Sequence, residues 1–497
     1  MVRRTRIAAL LTLAMINVFT LAAGIAVARM LPPRLAALKV PTVAAGALAG
    51  TAPALGPEGT GGTGGTGGTG GTGAGAGAQD GPLPTASGLR AALAGPLSAP
   101  ALGPRVSALV ADPVTGRVLL SEHGSRSMTP ASTTKLVTGL AALAVLGQNA
   151  RFTTKVVSGA TPDSIILVGG GDPTLAVNSF PAQDYPQPAT LASLAKATAR
   201  TLKANGRGSV ALGYDTSLYT GPVLAPGWPG SYVSAGDVTP IVSLEVDQGR
   251  LTTAGRPEDS DDPYNLAARA TDPAGMAARA FAALLSADGI HVTAEPQPQT
   301  AATKTTKIAL ASVTSPPLSA LVAQMLEESN NVIAENLARQ VALATGQPAS
   351  FSGAAGAVIA GLMRLGVTAG LHLVDGSGLS PQDAIAPVTL VRVLEVAADH
   401  PAYRALLAGL PVAGFSGTLS AGESVFSGIK GAALGSVRAK TGNLGTVTSL
   451  AGLAYDKSGR VLVFALMADQ VPSAGVLDKA AEAIDAAATA LAGCGCR

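Results

Sequence analysis

The chain has 497 residues, which is enough for more than one domain and for cores that need no disulfide or metal to hold them together. Charged residues make up 13% of the sequence and the net charge is only +3, so we expect no nucleic-acid partner. The two cysteines, Cys494 and Cys496, stand at the end of the chain, which leaves open a disulfide between them, pairing between chains, or free thiols. Cysteine-free domains suit an oxidising compartment outside the cytoplasm.

Residues 1–31 predict a membrane anchor or an export signal. Three arginines precede the uncharged run 7–28, whose 22 residues can cross about 30 Å of hydrocarbon at about 1.5 Å per residue. The arginines favour the cytoplasmic side, which places the rest of the chain outside the membrane. Residues 26–28, Ala-Val-Ala, are typical of a cleavage site, so a secreted protein stays open beside the anchored one that we favour.

Residues 32–85 predict a flexible linker. They consist mostly of Ala, Pro, Gly and Thr, contain repeated Gly-Thr-Gly units, and show no periodic apolar face. We expect this linker to hold the folded part away from the membrane, and we expect folded sequence from residue 86, beginning with a short helix at 89–94.

A β-hairpin and a long helix are predicted next. The strand-like runs 106–111 and 117–121 flank a turn of the type Asp-Pro-Val-Thr-Gly, which is typical of a hairpin. A helix is predicted at 129–146, with Thr129 as its N-cap and Pro130 at its first helical position.

The middle of the chain, 151–312, predicts an inserted α/β domain. Strand-like runs at 164–168 and 209–212 alternate with helical patterns at 189–203 and 274–288. The insertion separates two parts of one catalytic domain, which we expect at 86–150 and 313–497.

The C-terminal part predicts the rest of the catalytic sheet. Its strand-like runs are 436–441, 446–455 and 460–469. An amphipathic helix is predicted at 474–491. Two strands from the front and three from the back make a five-stranded antiparallel sheet flanked by helices, so the predicted class is α+β.

The sequence lacks the motifs of a zinc hydrolase and of a hydrolase with a Ser-His-Asp triad. No zinc-type His spacing and no Gly-x-Ser-x-Gly nucleophile elbow occurs, so we expect no metal and no Ser-His-Asp triad. The histidines, which we expect at surface or packing positions, are His123, His291, His372 and His400. A serine enzyme with this sequence needs another base, and lysine is the candidate.

Ser-x-x-Lys supplies such a serine and lysine three times. The pairs are Ser132 with Lys135, Ser193 with Lys196, and Ser427 with Lys430. Residues three apart share one face of a helix, and burial favours the neutral amine that can act as a base. Ser132 stands at a predicted helix start, whereas Ser193 is predicted in the middle of a helix at the surface and Ser427 in a Gly-rich loop. We therefore favour Ser132 and Lys135.

Two further motifs strengthen this choice. Ser329-Asn330-Asn331 comes late in a helical run that begins near Leu318, and the Lys-Thr-Gly motif starts at Lys440, on the strand before the last hairpin. Ser-x-x-Lys, Ser-x-Asn and Lys-Thr-Gly in this order are the signature of penicillin-binding proteins and class A β-lactamases.

The spacing of the motifs narrows the resemblance. Ser132 and Ser329 lie 197 residues apart, far more than a compact β-lactamase needs. From about residue 88 to its end, the chain resembles the low-molecular-mass class C penicillin-binding proteins, the D-alanyl-D-alanine carboxypeptidase/endopeptidase family S13, which carries extra domains in this gap. The stretches 170–175, 214–217 and 375–380 also resemble this family. The resemblance implies a penicillin-binding, β-lactamase-like fold with an inserted domain.

The resemblance also implies roles for four catalytic residues. Ser132 attacks the penultimate D-Ala carbonyl and forms an acyl-enzyme, and Lys135 takes its proton. Ser329 relays a proton to the leaving amine, while Asn331 positions the substrate amide and Lys135.

Four residues of one strand are implied in substrate binding. Lys440 and Thr441 hold the terminal carboxylate, Lys440 also keeps Lys135 neutral through like-charge repulsion, and Gly442 lets the substrate backbone lie against the strand. The backbone N–H groups of Ser132 and Asn443 form the oxyanion hole. Many relatives have Thr or Ser where this chain has Asn443, so a hydroxyl contact to the carboxylate is lost while the backbone donor remains.

We therefore predict an extracytoplasmic serine-type D-Ala-D-Ala carboxypeptidase without cofactor or metal, which acts on peptidoglycan peptides and is trapped by β-lactams. Additional endopeptidase activity stays open. The alternatives are a β-lactamase and a non-catalytic wall-binding protein of the same fold. Asp375 and Ser377 are interpreted as loop-shaping residues. Trp228 and Tyr232 are interpreted as core residues, with a substrate side-chain pocket as the alternative.

Overall fold

The computed structural model describes residues 81–181, 185–251, 267–302, 309–421 and 428–496. The predicted anchor, almost all of the predicted linker and Ser427 lie outside these ranges. Within them, no helix combines the length and the apolar character that crossing a membrane requires.

The described part contains both α-helices and β-strands. The helices are α1 (Ala86–Leu97), α2 (Thr134–Leu146), α3 (Leu191–Ala204), α4 (Ser231–Ala235), α5 (Pro273–Ala287), α6 (Leu318–Glu327), α7 (Asn331–Ala344), α8 (Phe351–Met363), α9 (Pro387–Asp399), α10 (Arg404–Ala408) and α11 (Leu477–Ala492). The strands are β1 (Val106–Ala111), β2 (Val118–Glu122), β3 (Thr153–Ser158), β4 (Ser164–Val168), β5 (Ser209–Asp215), β6 (His291–Val292), β7 (Gln297–Pro298), β8 (Ala309–Thr314), β9 (Leu371–His372), β10 (Ala384–Ile385), β11 (Val437–Leu444), β12 (Val447–Tyr455) and β13 (Val461–Ala468).

One sheet joins the two ends of the folded chain. Its strand order is β11-β12-β13-β1-β2, and every neighbouring pair is antiparallel. The front hairpin thus continues the three C-terminal strands, with Val106 opposite Ala468. This is the five-stranded antiparallel sheet that the sequence predicts, and the prediction is confirmed.

Helices cover both faces of this sheet because its central strands are apolar on both sides. Along β13, Val463 and Met467 belong to the core shared with α2 and α6–α9, whereas Phe464 and Leu466 belong to the core shared with α1 and α11. Successive side chains of a strand point to opposite faces, so a continuous apolar run feeds two cores. The layer of α2 and α7 carries two of the three sequence motifs.

A second, mixed sheet lies wholly within residues 153–314. Its strand order is β6-β5-β4-β3-β8, with β3 antiparallel to both of its neighbours and β4-β5 and β5-β6 parallel. Helices α3 and α5 pack on it through residues such as Leu194 and Phe281. An α/β module therefore stands where the sequence predicts one, while the domain boundaries at 150 and 312 stay a prediction.

The prediction for the first helix needs correction. The short helix predicted at 89–94 extends from Ala86 to Leu97, because the Thr85 hydroxyl caps it by accepting the Gly88 N–H, and Leu89 and Leu93 bury in the core. Tertiary packing of this kind overrides the weak helix propensity of the glycine and proline near its end.

The C-terminal cysteines form a disulfide with each other, one of the three outcomes that the sequence left open. The Cys496 carbonyl accepts the Thr85 N–H at 2.8 Å, and the Cys494 carbonyl accepts the Lys457 N–H at 3.2 Å. The end of the chain is thereby held against the start of α1 and the turn between β12 and β13.

Candidate active site

Ser132 lies on a 3₁₀ turn, Ala131–Thr133, which leads into α2. Thr129 and Pro130 precede this turn, so the predicted helix start at Thr129 is wrong: the Thr129 N–H donates to Asp469 rather than beginning a helix. Ala131 has φ +49°, a left-handed conformation that interrupts the helical path. The Thr133 and Ser449 hydroxyls both donate to the Pro130 carbonyl at 2.7 Å and hold the turn in place.

Lys135 lies one helical turn after Ser132 and is completely buried. Its Nζ donates to Ser132 Oγ at 2.9 Å, to Asn331 Oδ1 at 2.7 Å and to the Ser377 carbonyl at 2.9 Å. Burial disfavours the ammonium form and lowers the pKa of Lys135 to about 7, although Asp375 and Glu335 act in the opposite direction. A proton acceptor thus stands within hydrogen-bonding distance of the serine hydroxyl at neutral pH.

The Ser-x-Asn motif lies in a break between two helices rather than late in one, which corrects the sequence interpretation. Helix α6 ends at Glu327, Ser329 has φ +54°, and the Asn330 side chain caps α7 by accepting the Ile333 N–H. The break turns the Ser329 hydroxyl toward β11. It also leaves Asn331 at the first position of α7, beside Lys135.

Asn331 uses both ends of its side-chain amide. Its Oδ1 accepts from Lys135, and its Nδ2 donates to the Asp237 carbonyl at 2.8 Å. Asp237 belongs to the middle segment of the chain. Because the amide nitrogen has a fixed acceptor, the amide oxygen is held toward the lysine.

Lys440, on β11, is the second completely buried lysine of the site. Its Nζ donates to Ser329 Oγ at 2.8 Å and to the Thr441 carbonyl at 2.9 Å. Burial, followed by repulsion from Lys135, places the pKa of Lys440 well below its usual range. The principal cause of the low pKa of Lys135 is likewise burial rather than the repulsion that the resemblance implied.

Gly442 has a different neighbour from the one implied by the resemblance. A Cβ atom at this position would lie 2.8 Å from the Pro130 carbonyl oxygen and 3.1 Å from the Ser132 nitrogen, and would also collide with Ser449 Oγ. The glycine therefore lets the turn that carries Ser132 lie directly against β11. It fixes the distance between the serine and the strand.

The outer edge of β11 is covered along only part of its length. The Ala413 N–H donates to the Val437 carbonyl and the Ala439 N–H to the Pro411 carbonyl, and among the described residues this backbone pairing ends at Ala439. Beyond it, the Thr441 hydroxyl donates to the Thr418 hydroxyl at 2.8 Å. The part of the strand that carries Thr441 and Asn443 is thus left with an edge that an extended peptide can pair with.

The sequence predicts a role for Asn443 but none for Thr418. Asn443 was singled out, and its Oδ1 is buried without a hydrogen-bond partner in the part of the chain that the structure describes. Thr418 was missed, since no sequence signal connects residue 418 with residue 441.

The loop that begins at Asp375 supports the lysine, as its interpretation as a loop-shaping element predicts. Asp375 Oδ1 accepts the N–H groups of Ser377 and Gly378, and its Oδ2 accepts the Ser380 N–H at 2.6 Å and the indole N–H of Trp228 at 2.8 Å. Trp228 is buried and packs edge-on against a phenylalanine ring of α8, so it is a core residue. The loop delivers the Ser377 carbonyl to Lys135.

The other Ser-x-x-Lys pairs do not form sites of this kind. Ser193 lies in the first turn of α3, where its N–H donates to the capping Thr190 hydroxyl, and not in the middle of a helix; Ser193 and Lys196 are both exposed. Lys430 is exposed as well, and its partner Ser427 lies outside the described residues. All four histidines are exposed, and the described ranges hold no group of three or more His, Cys, Asp or Glu residues arranged for a metal ion.

The sequence matches the model of the D-Ala-D-Ala carboxypeptidase 3 (S13) family over residues 89–264 and 250–491. The chain belongs to this family. It is 39% identical over 421 residues to carboxypeptidase DacB of Mycolicibacterium smegmatis, covering 84% of this chain and 86% of that protein. It is 38% identical over 424 residues to carboxypeptidase Rv3627c of Mycobacterium tuberculosis, covering 83% and 85%.

The fold also has a solved counterpart. Penicillin binding protein 4 (dacB) of Haemophilus influenzae superimposes with a TM-score of 0.62 at 22% identity, covering 81% of this chain and 98% of that one. At this identity the match concerns the fold. Together with the S13 match, it confirms the predictions of family, fold class and enzyme class.

Proposed function

We propose that the protein removes the terminal D-Ala from peptidoglycan peptides that end in D-Ala-D-Ala, through an acyl-enzyme on Ser132. The observation that carries this proposal is the contact of 2.9 Å between Ser132 Oγ and the buried amine of Lys135. A buried amine with a pKa of about 7 can accept the hydroxyl proton, and no exposed lysine with an ordinary pKa can do so at neutral pH.

The reaction has two stages in this proposal. In the first, Ser132 Oγ attacks the penultimate carbonyl while its proton passes to Lys135, and the C–N bond then breaks as D-Ala leaves with a proton relayed through Ser329. In the second, Lys135, which has passed its first proton through Ser329 to D-Ala, takes a proton from the water molecule that attacks the ester and gives it to Ser132 Oγ as the shortened peptide leaves. Protons balance over the cycle, so the protein's own residues suffice for hydrolysis.

Substrate binding is assigned to the open part of β11. Lys440 and Thr441 hold the terminal carboxylate, with the Thr418 hydroxyl adjoining Thr441 at the same end. Asn331 orients the substrate amide, and the N–H groups of Ser132 and Asn443 stabilise the oxyanion. A β-lactam presents a strained amide and a carboxylate in the same relation, so it is expected to acylate Ser132.

The proposal also assigns the domains of the chain and its N-terminal segment. Residues 86–150 and 313–497 form the catalytic domain, and residues 151–312 form the inserted domain, which contributes the Asp237 carbonyl that holds Asn331. Activity on peptidoglycan requires the catalytic domain outside the cytoplasm. The run 7–28 then serves as its anchor, with removal of this run as an export signal being the alternative.

Intact mass spectrometry of the full-length chain with benzylpenicillin tests the nucleophile. We expect a single covalent adduct on the parent protein and none on Ser132→Ala, because Ser132 Oγ is the nucleophile that Lys135 activates in this proposal. Ser193→Ala removes the serine of an exposed Ser-x-x-Lys pair and is the matched control, which should be labelled like the parent. D-Ala release from a D-Ala-D-Ala peptide should follow the same pattern, and labelling that survives in Ser132→Ala would disprove the assignment.

Gly442→Ala tests the contact between the serine turn and the strand. The added methyl group would meet the Pro130 carbonyl and the Ser132 nitrogen, so either the turn or the strand must move. A displacement of about 1 Å at a reacting atom can lower a rate about 10²-fold, and we expect a loss of that order in acylation by a fluorescent penicillin. Gly356→Ala, on α8 with no atom within 4 Å of the added Cβ, is the control and should acylate like the parent.

A further inference from the structure

Three buried carboxyl groups surround the loop that supports Lys135, and the proposed reaction uses none of them. Asp375 and Asp383 belong to the loop itself, and Glu335 reaches it from α7, one turn after Asn331. Their exposed fractions are 2%, 1% and 1%. Burial of ionised acidic side chains is costly, so their position next to the site needs an explanation.

Glu335 is the carboxyl group that ties the loop to the helix. Both of its oxygens accept the Gly376 N–H, at 3.0 and 3.1 Å, and the Ser377 hydroxyl also hydrogen-bonds to it. The loop lies so close to α7 that a Cβ on Gly376 would be 2.8 Å from the Ala338 Cβ. From the other side, the Thr138 hydroxyl of α2 donates to the Gly376 carbonyl at 2.7 Å.

The residue that follows Gly376 connects this anchor to the reacting atoms. The Ser377 carbonyl accepts from Lys135 Nζ at 2.9 Å, so the loop that Glu335 holds through the Gly376 N–H and the Ser377 hydroxyl also presents an oxygen to the proposed base. Asn331 and Glu335 stand four residues apart on α7 and therefore on the same face. One helix face thus positions two of the three acceptors of Lys135.

The charges around this pair are mixed. Asp375 and Glu335 raise the pKa of Lys135 by charge attraction, whereas Lys135 lowers the pKa of Lys440 by repulsion. Glu335 lies near Asp375 and near Arg339 of its own helix. Burial, followed by repulsion from Asp375, raises the pKa of Glu335, and the same two causes raise that of Asp383. Because an ionised Glu335 favours the charged form of Lys135, the protonation states of the two groups are linked.

We propose that Glu335 is a positioning residue for acylation: it fixes the Ser377 carbonyl toward Lys135 Nζ, and in its ionised form it opposes loss of the proton from Lys135. This inference rests on the proposed function, since it concerns the lysine that acts as the base there. The two parts of the role, hydrogen bonding and charge, can be separated by substitution.

Two substitutions of Glu335 separate these parts in full-length protein. Glu335→Gln keeps an oxygen for the Gly376 N–H but removes the charge, so the pKa of Lys135 should fall. The midpoint, which is the pH at which the rate of penicillin acylation has risen to half of its maximum, should therefore move about one unit to lower pH. Glu335→Asp keeps the charge but is one methylene too short to reach the loop. Its midpoint should stay near that of the parent, while the maximal acylation rate should fall about tenfold or more.

Glu395→Gln serves as a control, because Glu395 is a buried carboxylate that pairs with Arg392 on α9, outside the site. We expect its midpoint and its maximal rate to match those of the parent. Thermal unfolding of every variant shows which of them fold. If Glu335→Gln does not fold, the separation of rate from midpoint in Glu335→Asp still decides.

The outcomes are distinguishable. If both Glu335 variants lose thermal stability but keep the midpoint and maximal rate of the parent, Glu335 is only structural and the inference is wrong. If the parent itself is not acylated, the proposed function fails before any variant is compared. A midpoint that moves to higher pH in Glu335→Gln would contradict the sign of the charge effect.

Discussion

Replacing Lys135 with methionine is expected to lower the rate of acylation by about 10²–10⁴-fold, which is the usual contribution of a positioned general base. Methionine preserves most of the buried volume, so helix α2 keeps its packing against α7 and α8. It has no proton acceptor comparable to an amine, so the hydroxyl of Ser132 loses the only group within 2.9 Å that can take its proton among the described residues. The rate of labelling by a penicillin, measured under single-turnover conditions, reports this loss directly.

The matched control for this prediction is Lys196→Met. Lys196 is also the lysine of a Ser-x-x-Lys pair on a helix, but both of its members are exposed. We expect the control to acylate like the parent protein, which would show that burial, and not the motif, provides the reactivity. An acylation rate within threefold of the parent in Lys135→Met, with a thermal unfolding midpoint close to that of the parent, would assign the base to another group.

The sheet and the motif-bearing elements were predictable from the sequence because local patterns determine them. Alternating and continuous apolar runs between turn residues mark β1, β12 and β13, and the Asp-Lys-Ser-Gly turn identifies the last hairpin. Ser132 and Lys135 were identifiable because a helical spacing of three residues brings them together without any long-range contact. Lys440 was identifiable from the Lys-Thr-Gly motif that it begins, on the strand before that hairpin.

The rest of the site could not be predicted from the sequence because it depends on contacts between distant segments. The Ser377 carbonyl lies 242 residues from Lys135 along the chain, and any residue type could supply such a backbone oxygen. The Asp237 carbonyl, which holds Asn331, could not be predicted for the same reason, since it is a backbone oxygen from the distant middle segment. The left-handed conformation of Ser329 gives no sequence signal either, since left-handed serines are uncommon.

The burial of two lysines in one site explains why the site is suited to anionic substrates. Both ammonium groups lose their hydration, and repulsion from Lys135 adds to the cost of charging Lys440. A carboxylate that binds Lys440 compensates for that cost at one of the two positions, while Lys135, held by Asn331 and Ser377, keeps access to the neutral form. The same arrangement thus separates a binding cation from a base, although both residues are lysines.

Lys440→Met is expected to lower kcat/KM for a peptide with a free C-terminal carboxylate by about 10²–10³-fold. Removing one partner of a buried, hydrogen-bonded charge pair costs about 3–4 kcal/mol, and each 1.4 kcal/mol corresponds to a factor of ten. The comparison substrate is the same peptide with a C-terminal amide, which has no charge for Lys440 to bind. For this substrate we expect a loss of about tenfold or less, caused by the missing donor to Ser329 Oγ.

The ratio of the two losses identifies the role of Lys440. Lys430→Met, which changes an exposed lysine ten residues earlier in the chain, is the control and should leave kcat/KM for both substrates unchanged. Equal losses on the acid and on the amide would mean that Lys440 acts on Ser329 and the proton relay rather than on the carboxylate. A selective loss on the acid would mean that the buried ammonium recognises the end of the peptide, and that the open part of β11 beyond Ala439 is where the terminal D-Ala lies.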